Sequence, residues 1–218
     1  MQETCEEVGI MDNHKNFVIT VARQYGSGGR EIGLRLGELL GVKAYDKELI
    51  TMAAQKSGMS SDVLDHVDEK ATSSLLYTLA MGSSYFNSAA QNMNIPINDK
   101  LFMTQSELIR EIAEENSCVF VGRCADYVLR KAENKISIFI YAPTDFKIKR
   151  IIERHESIDE KAAKDLSQKT DKRRINYYNY YTGKKWGSPE NYQIMIDSSV
   201  LGIEGTAQAL ADIIKSKY

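Results

Sequence analysis

The sequence predicts an α/β fold, a three-layer αβα arrangement around a central five-stranded parallel sheet. Short β-branched or apolar runs alternate five times with helical patterns, the order that wraps helices over both faces of a parallel sheet. A glycine-rich turn follows the first of these runs directly and leads into an amphipathic helix. The 218 residues, 43% of them apolar, suffice for one buried core carrying insertions.

The elements follow in order. Residues 1–15 are acidic and polar and read as a flexible tail, with the folded domain spanning 16–218. Phe17–Ala22 is the first strand and Gly26–Gly29 the turn. Ile32, Leu34, Leu36, Leu39 and Leu40 then furnish the apolar positions of a helix that stops at Gly41. Val42–Tyr45 is a second strand and Lys47–Lys56 a helix ending near Gly58. Ser60 or Ser61 caps a further helix through Val67, and Thr72–Met93 reads as loosely specified helix up to Pro96. Asp99–Glu115 is an amphipathic helix, Cys118–Val121 the third strand, and Ala125–Lys131 a short helix. Ile136–Tyr141 is the fourth strand, after which Thr144 caps a helix over Asp145–His155. Ile158–Tyr181 is a long polar helix, Gln193–Ile196 the fifth strand, and Ile203–Ser216 the closing helix.

Bulk properties exclude several classes. A formal net charge of −2 provides no whole-chain basic field, so nucleic acid is not an expected partner. No apolar stretch approaches the roughly 20 residues that span a bilayer. Cys5, Cys118 and Cys124 form no C-x-x-C pair, and this sparse, odd count fits a reducing cytoplasm. His14, His66 and His155 have no metal-ligand spacing, so no protein metal site is expected.

The sharpest local feature is Arg23-Gln24-Tyr25-Gly26-Ser27-Gly28-Gly29-Arg30-Glu31. Glycines let a backbone turn tightly and approach a ligand, and successive N–H groups at a helix start attract phosphate oxygens. The turn departs from the signature G-x-x-x-x-G-K-S/T. Arg23 stands at the first glycine, Gly29 at the lysine and Arg30 at the metal-binding hydroxyl. Arg30 or Arg23 is the candidate to restore the missing positive charge, because a guanidinium binds phosphate bidentately.

Two helical stripes carry further charge. Lys147, Arg150 and Arg154 share one face, either to neutralise phosphate charge or as a solvated surface. Asp171, Arg174 and Tyr178 also form one stripe, suited to sugar, phosphate and ring contacts or to ordinary packing. Tyr177, Tyr178, Tyr180, Tyr181 and Trp186 cluster beside Lys172, Arg173, Lys184 and Lys185; a packed helix end or a homodimer contact accounts for them at least as well as single-stranded nucleic-acid binding does. Gln105 reads foremost as a surface residue, with a base contact as the alternative.

Six stretches together resemble the cytidylate kinase-like family of the P-loop nucleoside monophosphate kinase superfamily: ARQYGSGGREIG, AYDKELI, VFVGRCADYVL, IFIYAPTDFKIKR, TDKRRINYYNYYTGKKW and YQIMIDSS. The resemblance runs from about Asn16 to the C-terminus. It implies a P-loop NTPase core, a helical acceptor-binding insertion over 59–100 and a helical lid over 145–185. It also implies phosphoryl transfer from ATP, with Mg²⁺, to a CMP- or dCMP-like monophosphate or related small acceptor. Tyr25, Gly26, Ser27, Gly28, Gly29 and Glu31, with Arg23 and Arg30, would hold the nucleotide. Arg30, Arg150 and Arg154 would be catalytic. Asp46, Lys47, Gln105, Arg123, Asp126, Asp171, Arg174 and Tyr178 would face the acceptor. Cys124 stands where cytidylate kinases carry an aspartate that helps read cytosine, and Asp126 is a candidate substitute. The altered turn motivates an alternative, a nucleotide-binding protein without turnover.

Overall fold

The structure, a computed structural model, describes residues 16–56, 97–155 and 157–218. The expected helices at Ser60–Val67 and Thr72–Met93, and most of the expected 59–100 insertion, lie outside them.

Five strands form one sheet in the order β2-β3-β1-β4-β5: β1 Val18–Arg23, β2 Lys43–Tyr45, β3 Cys118–Val121, β4 Lys135–Tyr141 and β5 Ile194–Asp197. Every pairing is parallel. The helices are α1 Gly29–Leu40, α2 Glu48–Lys56, α3 Ile97–Glu115, α4 Ala125–Val128, α5 Thr144–Arg154, α6 Glu160–Thr182 and α7 Ser198–Lys217.

Strand periodicity divides the core in two. On one face Ile19, Val21, Val119, Val121, Ile138 and Ile140 pack with Ile32 and Leu36 of α1 and Leu210 and Ile214 of α7. On the other, Cys118 and Phe120 pack with Leu49 of α2, Ile109 and Ile112 of α3, and Ala125 of α4. Both faces are covered, so the central strands read as continuous apolar runs rather than alternating ones. Thr20 and Ser137 are the polar exceptions. The Thr20 hydroxyl donates to Ser137 Oγ over 2.9 Å, and Lys135 Nζ donates to the same oxygen over 2.7 Å.

β1 lies between β3 and β4, so the strand order reverses there. Ligands of open α/β sheets bind beyond the strand C-termini at such a switch point. The segments leaving β1 and β3 therefore flank the expected ligand crevice.

Several expected boundaries move. Pro143, not Thr144, occupies the position before α5, without a side-chain cap, and Thr144 is already helical. The helix after β3 ends at Val128 instead of Lys131, because Arg130 and Ala132 bond to carbonyls three residues back and tighten the chain. α6 begins after Asp159, whose carboxylate accepts from the Ala162 amide over 2.7 Å, and ends at left-handed Gly183. α7 starts at Ser198, five residues before Ile203, and kinks at Gly202.

Candidate phosphate-transfer site

The turn after β1 is built around two left-handed glycines, Gly26 (φ 81°) and Gly28 (φ 78°). Space as well as backbone geometry demands them. A Cβ on Gly26 would lie 2.9 Å from the Lys147 carbonyl oxygen of α5, and one on Gly28 would collide with Ile203 of α7. Ser27 holds the turn from inside. Its hydroxyl donates to Gln24 O over 2.8 Å and accepts from the Gly29 amide over 3.3 Å, while its carbonyl accepts from Ser198 Oγ over 2.6 Å.

The amides of Gly26, Gly28, Arg30 and Glu31 have no protein acceptor among the described residues. They open the 12-residue helix α1, whose positive end reinforces them toward an anion. The Tyr25 amide is taken: it donates to Asp171 Oδ1 over 2.7 Å.

Cationic side chains surround this turn, though not the ones expected to replace the lysine. Arg30 Nε donates to Asp46 Oδ2 over 2.5 Å, and Arg23 Nη2 lies 3.6 Å from Asp46 Oδ1. Both guanidiniums thus point to the carboxylate after β2. From α5, Lys147 Nζ donates to Gln24 Oε1 over 3.1 Å, and Arg150 donates to both Glu31 oxygens at 3.1 and 3.2 Å. Arg154 also pairs with Glu31. The α5 stripe therefore faces the turn and is no plain solvated surface, and Glu31, expected among the nucleotide contacts, is held by two arginines.

The α6 stripe divides. Asp171 caps the Tyr25 amide, and Arg174 donates to Arg23 O over 2.9 Å and to Asp171 Oδ1 over 3.3 Å. The Arg174 guanidinium also lies 5.6 Å from the centre of the Tyr25 ring. Desolvation pushes the Asp171 pKa up, opposed by the Tyr25 amide and by Arg174, while burial moves Arg174 down. Tyr178 instead turns into the core and donates to Asp126 Oδ2 over 2.7 Å. Both partners are buried, and burial raises the Asp126 pKa. This pair braces α6 against the segment after β3, and the two residues expected to face the acceptor contact each other.

Gln105 corrects the surface reading. It is buried at 2% exposure, with Oε1 lacking a partner. Lys47 is exposed directly before α2. Arg123 and Cys124 follow Gly122 in three consecutive left-handed residues, an uncommon backbone for side chains with a Cβ. Cys124 is buried and its thiol is driven upward by desolvation. Phe102 stacks on Tyr181, with ring centres 4.0 Å apart, and Tyr177 meets both edge-on, while Tyr180 stays exposed.

Gln24 and Ser198 are contributors that sequence pattern did not single out. Their only signal is position, one directly after β1 and the other directly after β5. No His, Cys, Asp or Glu group of three or more among the described residues could hold a metal ion. Asp46 and Glu31 are both engaged by arginines, Ser27 Oγ bonds inward, and Arg30 stands where the hydroxyl ligand belongs. These residues do not form a metal-ligand set. No described helix is long and apolar enough to cross a membrane.

Comparison with known proteins accords with this architecture. A crystal structure of an uncharacterized protein from Eubacterium ventriosum ATCC 27560 is 32% identical, covers 93% of this chain and 99% of its own, and superposes with a TM-score of 0.69. Shikimate kinase from Bacteroides thetaiotaomicron is 13% identical, covers 91% of this chain and 98% of its own, and superposes with a TM-score of 0.52, a likeness of fold. No curated protein matches the sequence. The model of the cytidylate kinase-like family matches residues 18–200. A P-loop kinase fold, with its glycine turn at the sheet's switch point, and that match over most of the chain lead to one conclusion: the protein belongs to the cytidylate kinase-like family.

Proposed function

We propose that the protein is a phosphotransferase moving the γ-phosphoryl group of ATP to a nucleoside monophosphate or a related small acceptor. The observation that carries the reading is the row of unpartnered amides at Gly26, Gly28, Arg30 and Glu31, with Arg150 and Arg154 of α5 set against the same turn. Those amides suit the donor's phosphate oxygens, doing by backbone what the missing lysine does elsewhere by side chain. Mg²⁺ would arrive on the nucleotide and rely on phosphate oxygens and water.

Arg150 and Arg154 are the catalytic candidates. Both guanidiniums lie against the turn through Glu31, with the fork geometry that suits phosphate oxygens. Phosphates bound there would compete with the Glu31 carboxylate for these guanidiniums. Charge spread over the transferring group would then be met by fixed cations, and catalysis would be positioning plus electrostatics without a covalent intermediate. Asp46, Arg123, Asp171 and Arg174 suit the acceptor side. Cys124, buried and uncharged, offers no carboxylate to a cytosine amino group.

The test is ADP formation from ATP and Mg²⁺ across a panel of monophosphates and small polyol acceptors. Acceptor-dependent ADP release that falls at least tenfold in Arg150→Ala is expected. Tight ATP binding by calorimetry with no ADP from any acceptor would replace the kinase with a nucleotide-binding protein, the reading that the altered turn favours. Failure to bind ATP would overturn both.

A further inference from the structure

Tyr25 occupies the third place of the altered turn, one that the phosphate-loop signature leaves open to any residue. Its side chain leaves the turn and packs with α5 and α6. There it joins a small apolar cluster formed by Ile148 and Ile151 of α5, Ala163 and Leu166 of α6, and Ile158 between them. Among the described residues, Tyr25 is the one member of that cluster from outside 144–170.

The same two helices hold the rest of Tyr25. Its amide donates to Asp171 Oδ1 over 2.7 Å, and its carbonyl accepts from Ser167 Oγ over 3.5 Å. The Arg174 guanidinium stands 5.6 Å from the ring centre, and the hydroxyl lies 3.4 Å from His155 Nε2, just past α5. The residues on either side of Tyr25 also meet α5. Gln24 Oε1 accepts from Lys147 Nζ over 3.1 Å, and Gly26 lies too close to the Lys147 carbonyl to carry a Cβ. Otherwise α5 and the first half of α6 pack chiefly on each other. Their ion pairs to the turn, from Arg150 and Arg154 to Glu31, are partly exposed and weakened by solvent. A helix pair with so little apolar contact to the sheet opens locally unless something pins it.

We propose that Tyr25 is a positioning residue, a wedge that fastens α5 and the first half of α6 to the donor turn, so that these helices do not swing as a free lid. The catalytic consequence rests on the phosphotransferase reading. Fastened, the pair keeps Arg150 and Arg154 at the donor phosphates and shields them from water. Released, it lets water attack the γ-phosphorus in place of the acceptor. The new P–O bond then forms to water, the bond to the β-phosphate oxygen breaks, and ADP, inorganic phosphate and a proton leave.

The experiment compares the full-length wild type with Tyr25→Ala and Tyr25→Phe by amide hydrogen exchange, and wild type with Tyr25→Ala by product analysis from ATP, Mg²⁺ and acceptor. In Tyr25→Ala, exchange over α5 and residues 160–170 should quicken at least tenfold, while β1, β3 and β4 stay within twofold of wild type. The share of ATP lost to inorganic phosphate, relative to phosphorylated acceptor, should rise at least threefold, which a merely structural role would not produce. Tyr25→Phe keeps the ring, and its exchange should match wild type within twofold. Tyr25→Leu, which keeps apolar bulk but loses the ring beside Arg174, covers the case in which Tyr25→Ala does not fold and should quicken the same amides at least threefold. Unchanged exchange in the helix pair, a rise shared equally by the strands, an unchanged product ratio, or exchange in Tyr25→Phe equal to that in Tyr25→Ala would overturn the proposal. If the wild type forms no ADP with any acceptor, the phosphotransferase reading fails by itself and the exchange arm still decides this one.

Discussion

Removing the Glu31 carboxylate should tighten ATP binding. Glu31 holds Arg150 through two contacts of 3.1 and 3.2 Å and also engages Arg154. The Arg150 side chain is 19% exposed, Glu31 37% and Arg154 43%, so solvent discounts both pairs and the Arg154 pair more. Together they are worth about 1 kcal/mol at low salt. In Glu31→Gln the incoming phosphates no longer have to break those pairs, and about 1 kcal/mol corresponds to roughly fivefold tighter binding. The carboxylate's own repulsion of the triphosphate disappears too, so about fivefold is a floor. The free protein should lose a few degrees of Tm, since the first turn of α1 also loses a favourable acidic group worth about 0.3–1 kcal/mol. Calorimetric titration of ATP into wild type and Glu31→Gln, at about 50 and 500 mM salt, provides the measurement, and the gain should shrink at the higher salt. Weaker ATP binding in Glu31→Gln would refute the reasoning, because it would make Glu31 a partner of the nucleotide instead of its competitor. Unchanged affinity would refute it as well.

Other substitutions probe the supports of the site. Tyr178→Phe leaves the buried Asp126 carboxylate without its 2.7 Å donor and should cost about 1–3 kcal/mol in denaturant unfolding. Asp126 should also imprint on the pH profile. Its pKa is raised in the folded chain, so the unfolded chain releases that proton first as pH climbs past the ordinary carboxylate range. Stability therefore falls with rising pH across that window. The Tm of the wild type should gain on that of Asp126→Asn as pH is lowered from 7 toward 4, and a constant difference would contradict the assignment. Ser198→Ala strips the 2.6 Å donor from the Ser27 carbonyl, and a loss of about 1–3 kcal/mol with a raised KM for ATP is expected from unfolding and steady-state assays.

Much of the fold was legible in the sequence because periodicity reports burial. Cys118–Val121 is buried throughout, and the sequence expectation matches its bounds. Helix ends were less legible where a cap was inferred from residue type alone. Thr144 has the chemistry of a cap, yet Pro143, with φ fixed near −56°, already sets the start of α5. Within the candidate site, the glycine turn was visible because two left-handed positions require glycine. The destinations of the charges were not. Nothing local distinguishes an arginine that turns to a phosphate from one that turns, as Arg30 does, to a carboxylate 16 positions on. The stripe of Asp171, Arg174 and Tyr178 was correct as geometry on a helix, but α6 passes two different neighbours, the turn after β1 and Asp126 after β3. Gln105 resisted reading for a related reason. A polar side chain on the inward face of α3 breaks the pattern that marks burial, so pattern assigns it to the surface.

The contact of Asp171 and Arg174 with the backbone of Arg23 and Tyr25 has a thermodynamic corollary. A molecule that steadies α6 from one side necessarily steadies the glycine bend, and occupation of the bend steadies α6 in return. Linkage obliges the two occupants to help each other by the same factor, whichever arrives first. Loosening that strap, as Asp171→Asn would, should separate two binding events that the native chain makes cooperative, even where neither intrinsic affinity changes.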